Sequence, residues 1–334
     1  MKAVLYAPWI ARQANDLLAQ RGHAWLLQGP SGLGQYELAL ALVSAWLCEK
    51  TTEQGACGNC PSCHGVAVRT HADLAVLMPE TVMIELGWPL SEKAQDEIDK
   101  KTRKPSKEIR VDAMRDAVEF SQRTDARGRG KAVLVFPAER MNTITANTLL
   151  KTLEEPPGDV RFVLAAEAAY MLLPTIRSRC LAHTMRWPEA DEAMTWLSGQ
   201  GVPAPVAQSL LRSAGGRPTD VLRQAESGLS PDWWAALPKA MRVGDARHLS
   251  NVSPAQAIDA LQKLCHDLVL RRSGASPFFF DASQLPPSHA SLAVLSDWFK
   301  RLMQSSRTAE HPYNAGLMLE ALTADAQQTL LSKG

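Results

Sequence analysis

The chain has 334 residues, a length that suits two or three domains. Its 36 Lys and Arg residues balance 35 Asp and Glu residues, which argues against a protein that coats polyanions through excess positive charge but leaves a local basic patch open. There is no uncharged apolar run of about 18 residues and no signal-peptide segment, so we expect a cytoplasmic protein without a membrane span. Six cysteines are too few for a disulfide scaffold.

The first half of the chain alternates apolar strands with amphipathic helices. Strands are predicted at 22–28, 71–80, 131–139 and 161–167, and helices at 37–50, 109–122 and 142–156. This alternation is typical of a parallel sheet with helices on both faces. The segment 92–108 is almost wholly polar, and we interpret it as an exposed loop or insertion because carboxylates accompany its basic residues.

Only helical patterns follow Trp187 and Pro188. We therefore predict an α/β domain at 1–186, a small helical domain at 187–228 and an all-α C-terminal domain at 229–334. The apolar stripes of the last domain are expected to be mostly core, with the remainder forming an interface; they comprise Trp233, Trp234, Leu237, Leu317, Leu319 and Leu322.

A glycine-rich turn between the first strand and the first long helix has the spacing of a phosphate-binding loop, G-x-x-x-x-G-K-[ST]. Gly29, Gly32 and Gly34 keep the bend, but Gln35 stands at the Lys position and Tyr36 at the Ser/Thr position. Neutral Gln cannot offset phosphate charge, and Tyr is too large to place its hydroxyl on Mg²⁺. Taken alone, such a turn is more often only a turn.

The strand at 131–136 lacks the acidic residues that a nucleoside triphosphatase uses for Mg²⁺ and water. It runs into Phe136 and Pro137, and the first carboxylate after it is Glu139. The two motifs together indicate a nucleotidase scaffold that no longer hydrolyses nucleotide.

Four cysteines, Cys48, Cys57, Cys60 and Cys63, have the spacing C-x8-C-x2-C-x2-C. Four thiolates at this spacing predict a closed, structural zinc site. An iron–sulfur cluster is the competing interpretation, but the fourth Cys followed by Pro that a ferredoxin motif needs is missing. His64 could replace one cysteine ligand, but it is adjacent to Cys63 and badly placed to share the same ion. Four free thiols remain the alternative interpretation of the cluster. Cys265 lies apart, on an apolar helix, and is expected to be part of the core.

The segments ANTLLKTLEEPP (146–157), FVLAA (162–166) and TIRSRC (175–180) resemble the bacterial clamp-loader proteins of the AAA+ class, as does the cysteine module after the loop helix (48–63). Within that class the chain resembles the delta-prime family of DNA polymerase III. The residues that carry this second resemblance are the degenerate phosphate loop, Tyr6-Ala-Pro-Trp9 and His311-Pro-Tyr-Asn-Ala315.

The resemblance implies an AAA+ α/β domain, a three-helix lid and a helical collar. It implies a stator in a five-subunit ring with gamma/tau-type ATPase subunits and delta, loading the sliding clamp onto primed DNA. The subunit would have no productive ATP site and would lend Arg179, from the SRC motif, to a neighbour's ATP site. Thr219 stands where active relatives carry a nucleotide-sensing arginine, with Arg217 nearby.

Two other functions compete with this one. An active AAA+ ATPase with an atypical phosphate loop would bind and turn over ATP in the presence of Mg²⁺. The missing Lys and acidic residues argue against this function. A zinc-dependent nucleic-acid-binding module would carry a basic stripe, which the balanced composition does not indicate.

Overall fold

The computed structural model describes residues 6–226, 229–309 and 314–332. The chain divides into two compact units, residues 1–188 and 189–334. The first contains every strand found in the described ranges, and the second is helical. The three-domain division stays a prediction: its boundary at 228 falls inside the second unit, and 227–228 lie outside the described residues.

The first unit is built on a parallel sheet in the order β2-β3-β4-β1-β5. Its strands are β1 Ala24–Gln28, β2 Leu74–Leu77, β3 Lys131–Val135, β4 Val160–Ala166 and β5 Leu181–Thr184. Its helices are α1 Pro8–Leu18, α2 Gln35–Leu47, α3 Pro61–Ala67, α4 Glu80–Glu85, α5 Glu92–Asp99, α6 Val111–Gln122, α7 Thr143–Glu154 and α8 Pro174–Arg177.

The predicted α/β fold class is confirmed. β3 is buried at every position and β4 at all but one, which explains why they appear in the sequence as unbroken apolar runs. β2 is shorter than predicted because Asp73, just before it, accepts hydrogen bonds from the backbone N–H groups of Ala126 (2.7 Å) and Arg127 (3.1 Å). β5 was not predicted because it is a short edge strand with mostly exposed side chains.

The polar segment 92–108 is not simply an exposed loop, and that prediction was wrong for its first half. α5 begins at Ser91, whose hydroxyl accepts the backbone N–H of Ala94. Arg103 then donates to Glu80 (2.8 Å) and to Glu97 (2.6 Å). The hydrogen bond from Arg103 lowers the pKa of the buried Glu80 carboxyl. A cap and ion pairs, rather than an apolar stripe, order this segment.

The second unit consists of helices around one hydrophobic cluster. Its helices are α9 Ala190–Gly199, α10 Ala204–Ser213, α11 Pro218–Glu226, α12 Pro231–Val243, α13 Pro254–Arg272, α14 Leu292–Ser306 and α15 Ala315–Leu331. Trp234, Leu237, Leu319 and Leu322 are buried as expected of core, whereas Leu317 is 65% exposed. In the described ranges, no helix is both long and apolar enough to cross a membrane.

A buried carboxylate organises the connection between α13 and α14. Asp267 is fully buried and accepts hydrogen bonds from the backbone N–H groups of Phe278 (3.0 Å), Phe279 (2.8 Å) and Phe280 (2.8 Å). The Phe280 donor is buried and the other two are partly buried, so leaving them without a partner would be costly. The carboxylate therefore fixes the turn that delivers Phe280 to the core.

We expect Asp267→Ala to destabilise the helical unit by about 3 kcal/mol, because it orphans three backbone donors. Urea denaturation followed by circular dichroism measures the change. The matched control is Asp297→Ala, whose carboxylate is 63% exposed and pairs with Lys300 on the surface, and which should change stability by less than about 0.5 kcal/mol. Equal effects of the two substitutions would contradict the assigned role of Asp267.

Candidate functional site

The glycine-rich loop lies between β1 and α2, at the carboxyl end of its strand. Gly34 has φ +92°, and a Cβ there would lie 2.7 Å from Cδ1 of Ile10, so only glycine fits. The indole N–H of Trp9 donates to the carbonyl of Leu33 (3.3 Å). The N-terminal motif at residues 6–9 therefore braces the loop from α1.

Gln35 closes this loop from inside. Its side-chain amide donates to the carbonyls of Gly29 (2.6 Å) and Pro30 (2.7 Å), and the residue is only 2% exposed. Both amide hydrogens are thus used within the loop. The residue at the Lys position holds the loop backbone together and offers no charge to a phosphate.

Aromatic rings occupy the positions where a nucleotidase holds its metal. The rings of Tyr36 and Phe136 lie 5.4 Å apart, centroid to centroid. The phenol oxygen of Tyr36 accepts the indole N–H of Trp88 (2.8 Å). Burial raises the pKa of this phenol, despite that hydrogen bond. The pair presents an apolar surface and no oxygen ligand suited to Mg²⁺.

The first carboxylate after β3 is hydrogen-bonded to the backbone. Glu139 accepts hydrogen bonds from the backbone N–H groups of Glu167 (3.1 Å) and Ala168 (3.1 Å), which follow β4. Its oxygens therefore cap the turn at the end of the neighbouring strand.

Arg179 lies between α8 and β5, where the chain turns toward the last strand. Its guanidinium donates to the carbonyl of Thr175 (3.1 Å) and to the carboxylate of Glu154 (3.1 Å), at the end of α7. The side chain is 30% exposed, and its buried Nε has no hydrogen-bond partner. Sequence reasoning missed Glu154 as the partner, although it lies within the quoted TLLKTLEEPP segment.

The four cysteines come together as predicted. Their sulfurs all lie within 4.8 Å of one another and could hold a metal ion. Cys48 follows the last residue of α2 and Cys60 precedes the first residue of α3, so two helix ends fix the geometry. Among the described residues this group contains no histidine, in agreement with the doubt about His64.

Backbone N–H groups point at these sulfurs. Cys48 Sγ accepts from the backbone of Cys57 (3.3 Å), and Cys60 Sγ accepts from that of Cys63 (3.4 Å). Burial disfavours the thiolate of Cys60, but hydrogen bonds from the backbone, with Cys63 first, and from neighbouring cysteine side chains lower its pKa to about 6, whereas burial raises the pKa of Cys48 and Cys63. A thiolate is the form that binds metal. Glu49 fastens the module by accepting from Ser62 (2.9 Å) and Arg127 (2.8 Å).

The remaining predicted residues lie elsewhere. Thr219 is near the start of α11, and Arg217, just before it, pairs with Asp220 (2.8 Å) in the helical unit. Cys180 stands apart from the cluster, and burial raises its pKa to about 12. Cys265 is fully buried, which confirms it as core. Of the HPYNA motif, 311–313 lie outside the described residues.

The predicted residues thus form separate sites. The loop and the cysteine cluster lie at opposite ends of α2, whose 13 residues span about 20 Å. Arg179 belongs to a third location, beside the end of α7.

Comparisons with known proteins identify the family of the chain. The sequence profile described as "DNA polymerase III, delta subunit" matches residues 11–188. A Pseudomonas aeruginosa protein named DNA polymerase III subunit delta' is 34% identical over 283 residues, which are 84% of this chain and 70% of the relative. The subunit delta' of Yersinia pestis is 30% identical, over 84% of this chain and 81% of that protein.

More distant similarities concern related subunits. The subunit tau of Salmonella typhimurium is 32% identical over 54% of this chain and 24% of that protein. A solved gamma-subunit-related protein from Thermotoga maritima has a TM-score of 0.48 and 17% identity, covering 96% of this chain and 99% of its own. The delta profile spans more than half of the chain, and the Pseudomonas relative is covered over 70% of its length. The chain therefore belongs to the bacterial DNA polymerase III delta' family.

Proposed function

We propose that this chain is a clamp-loader subunit that works without hydrolysing ATP itself, as part of the polymerase III assembly that loads a sliding clamp onto primed DNA. The observation that carries the absence of hydrolysis is Gln35, whose amide is spent on the loop carbonyls of Gly29 and Pro30. Because the Gln35 amide is hydrogen-bonded to the loop backbone, the loop offers a phosphate neither a cation nor a free side-chain donor at this position.

The metal position supports the same conclusion. Hydrolysis of a nucleoside triphosphate needs Mg²⁺ held by a hydroxyl and a carboxylate, and a group that positions water. Here the rings of Tyr36 and Phe136 pack against each other at a tilt of 33°, and the Glu139 carboxylate accepts hydrogen bonds from two backbone N–H groups. Supplying the metal site would require displacing rings that are already packed.

Arg179 would then act on a neighbour. In phosphoryl transfer, negative charge spreads over the γ-phosphate oxygens, and a guanidinium inserted from another subunit stabilises it. Arg179 is partly exposed, and Glu154 and Thr175 orient it. Its Nε has no partner to lose. A phosphate would compete with Glu154 for the outer guanidinium nitrogens.

The partners of this role are gamma/tau-type ATPase subunits and delta, with the clamp and primer–template DNA reached through the complex in the bacterial cytoplasm. We assign the lid to 187–228 and the collar to 229–334. Exposed apolar residues on the last helices, such as Leu317 and Phe299, suit contact with other subunits.

The cysteine cluster would hold a structural zinc ion. Bonds of about 2.3 Å in a tetrahedron place sulfurs about 3.8 Å apart. The Cys48–Cys60 and Cys57–Cys63 sulfur distances are 3.8 Å and 3.9 Å. Those distances are far longer than a disulfide bond of about 2.05 Å. With four protein ligands no position is left for a reacting molecule, so the ion would stabilise the fold.

The isolated chain should show no Mg²⁺-dependent binding of a fluorescent ATP analogue tighter than about 1 mM, and no ATP turnover. Gln35→Lys is the informative variant: the added ammonium can attract phosphate, but the unchanged Tyr36 and Phe136 still exclude the metal. We expect weak binding without turnover from it. Tight, Mg²⁺-dependent binding with turnover by the unaltered chain would instead favour the active-ATPase alternative.

In a complex reconstituted with its partner subunits, Arg179→Ala should leave assembly intact and slow the ATP site that it serves by about 10³-fold. The ATP turnover of the whole complex, stimulated by clamp and DNA, then falls by the fraction that this one site contributes. Arg179→Lys should rescue poorly because it lacks the planar fork. The matched control is Arg177→Ala, an exposed neighbour in the same motif. Unchanged turnover with Arg179→Ala would show that the arginine has only a structural role.

Freshly purified protein should contain one zinc ion per chain, and Cys60→Ser should lose it and unfold at lower temperature, because structural zinc contributes folding free energy directly. Elemental analysis and thermal denaturation measure both effects. Cys180→Ser, outside the cluster, should retain the metal. Iron, or no metal, in the unaltered protein would end the zinc assignment.

A further inference from the structure

A cavity lies at the amino ends of the strands, whereas the glycine-rich loop lies at their carboxyl ends. It has a volume of about 900 Å³ and is bounded by the end of α1, the end of α2, and the turns that precede β3 and β4. The five residues of β1, about 16 Å long, separate the cavity from the loop. The cavity is therefore distinct from the degenerate phosphate site, and we call it the arginine cleft.

Three arginines line the cleft: Arg21, Arg129 and Arg161. Arg161 pairs with Asp159 (3.4 Å), whereas the one described hydrogen-bond partner of the Arg129 side chain among residues 6–226, 229–309 and 314–332 is the neutral hydroxyl of Thr51 (3.1 Å). Within the described part of the chain, Arg21 makes no side-chain hydrogen bond or ion pair. At least two of the three guanidinium groups thus keep an unneutralised charge in a cleft, where fields are focused.

Tryptophans supply an aromatic surface in the same cleft. The guanidinium carbon of Arg161 lies 5.9 Å from the ring centroid of the half-buried Trp46. Trp25 is only 3% exposed and forms the floor of the cleft beside Gly22, so Trp46 is the ring that a ligand could reach. Planar guanidinium and indole faces are surfaces on which nucleobases stack.

Another wall of the cleft comes from the cysteine module and contacts Arg129. Thr51, Thr52 and Glu53 lie in the loop between Cys48 and Cys57. Thr52 and Gly55 exchange backbone hydrogen bonds of 2.8 Å and 3.0 Å, which close this loop. The hydroxyls of Thr51 and Thr52 donate to nearby backbone carbonyls, those of Ala45 (3.3 Å) and Gly55 (3.1 Å). The wall is thus preorganised, and it adds one carboxylate, Glu53, to the cleft.

We propose that the arginine cleft binds a short stretch of single-stranded nucleic acid, with Arg21 and Arg129 on successive phosphates and a base against Trp46. A duplex is too large for this volume. A triphosphate would bring its dense charge against Glu53 and Asp159, whereas phosphodiester groups carry single, spaced charges. Charged guanidinium groups beside aromatic faces are the chemistry of single-strand binding.

The test is fluorescence anisotropy of a labelled dT12 oligonucleotide with the full isolated chain at several salt concentrations, so it does not depend on ring assembly. The double variant Arg21→Gln/Arg129→Gln should bind about tenfold more weakly, with the salt slope reduced by about 1.4, or ~0.7 for each lost phosphate contact. Glu53→Gln should bind more tightly, because it removes the opposing carboxylate.

The control Arg115→Gln/Lys300→Gln removes the same net charge from exposed positions outside the cleft and should bind like the unaltered chain. Several results would overturn the proposal: undetectable binding at low salt, equal losses in the control, or equal affinity for a duplex of the same length. Displacement of the oligonucleotide by millimolar inorganic phosphate or ATP would likewise overturn it and indicate a site for free phosphate or nucleotide.

Discussion

The burial of α2 is the constraint on which the functional parts of the sheet unit depend. This helix is apolar on several faces, with Leu38, Leu42 and Val43 fully buried, so its position cannot shift without opening the core. Its first residue is Gln35, which closes the loop, and the residue after its end is Cys48. Trp46, two residues before Cys48, lines the arginine cleft. This single helix therefore fixes the loop at one end relative to the cysteine cluster and the arginine cleft at the other.

The degenerate loop is a well-packed structure in its own right. The groups that would bind nucleotide are replaced by groups that bind the protein: Gln35 binds loop carbonyls, Tyr36 accepts from Trp88, and Glu139 caps the turn after β4. Buried polar atoms are satisfied in each case, which removes the cost that an emptied catalytic site would carry. The scaffold keeps the form of a nucleotide-binding fold while its contacts are internal.

Structural features that depend on residues close together in the sequence could be predicted, whereas features that depend on contacts between distant segments could not. Apolar runs revealed β1, β3 and β4, because strands buried on both faces contain little else. Cysteine spacing revealed the cluster, since four ligands lie within one short segment. β5 escaped because its edge position leaves its side chains exposed, and α5 because a cap and ion pairs order it. The arginine cleft draws its side chains from separate segments, so only the fold brings them together.

The hydrogen bond between Trp88 and Tyr36 bears on how such a chain can change over generations. Trp88 is only 7% exposed, and a Ser or Thr at position 36 would be too short to accept its indole N–H, leaving a buried donor without a partner. A Lys at position 35 would break the two bonds that Gln35 makes to the loop. Each single substitution toward the nucleotide-binding motif would therefore destabilise the fold on its own. A return to a nucleotide-binding loop would therefore require several simultaneous substitutions, because Trp88 and the loop carbonyls contact the side chains that now stand at positions 36 and 35.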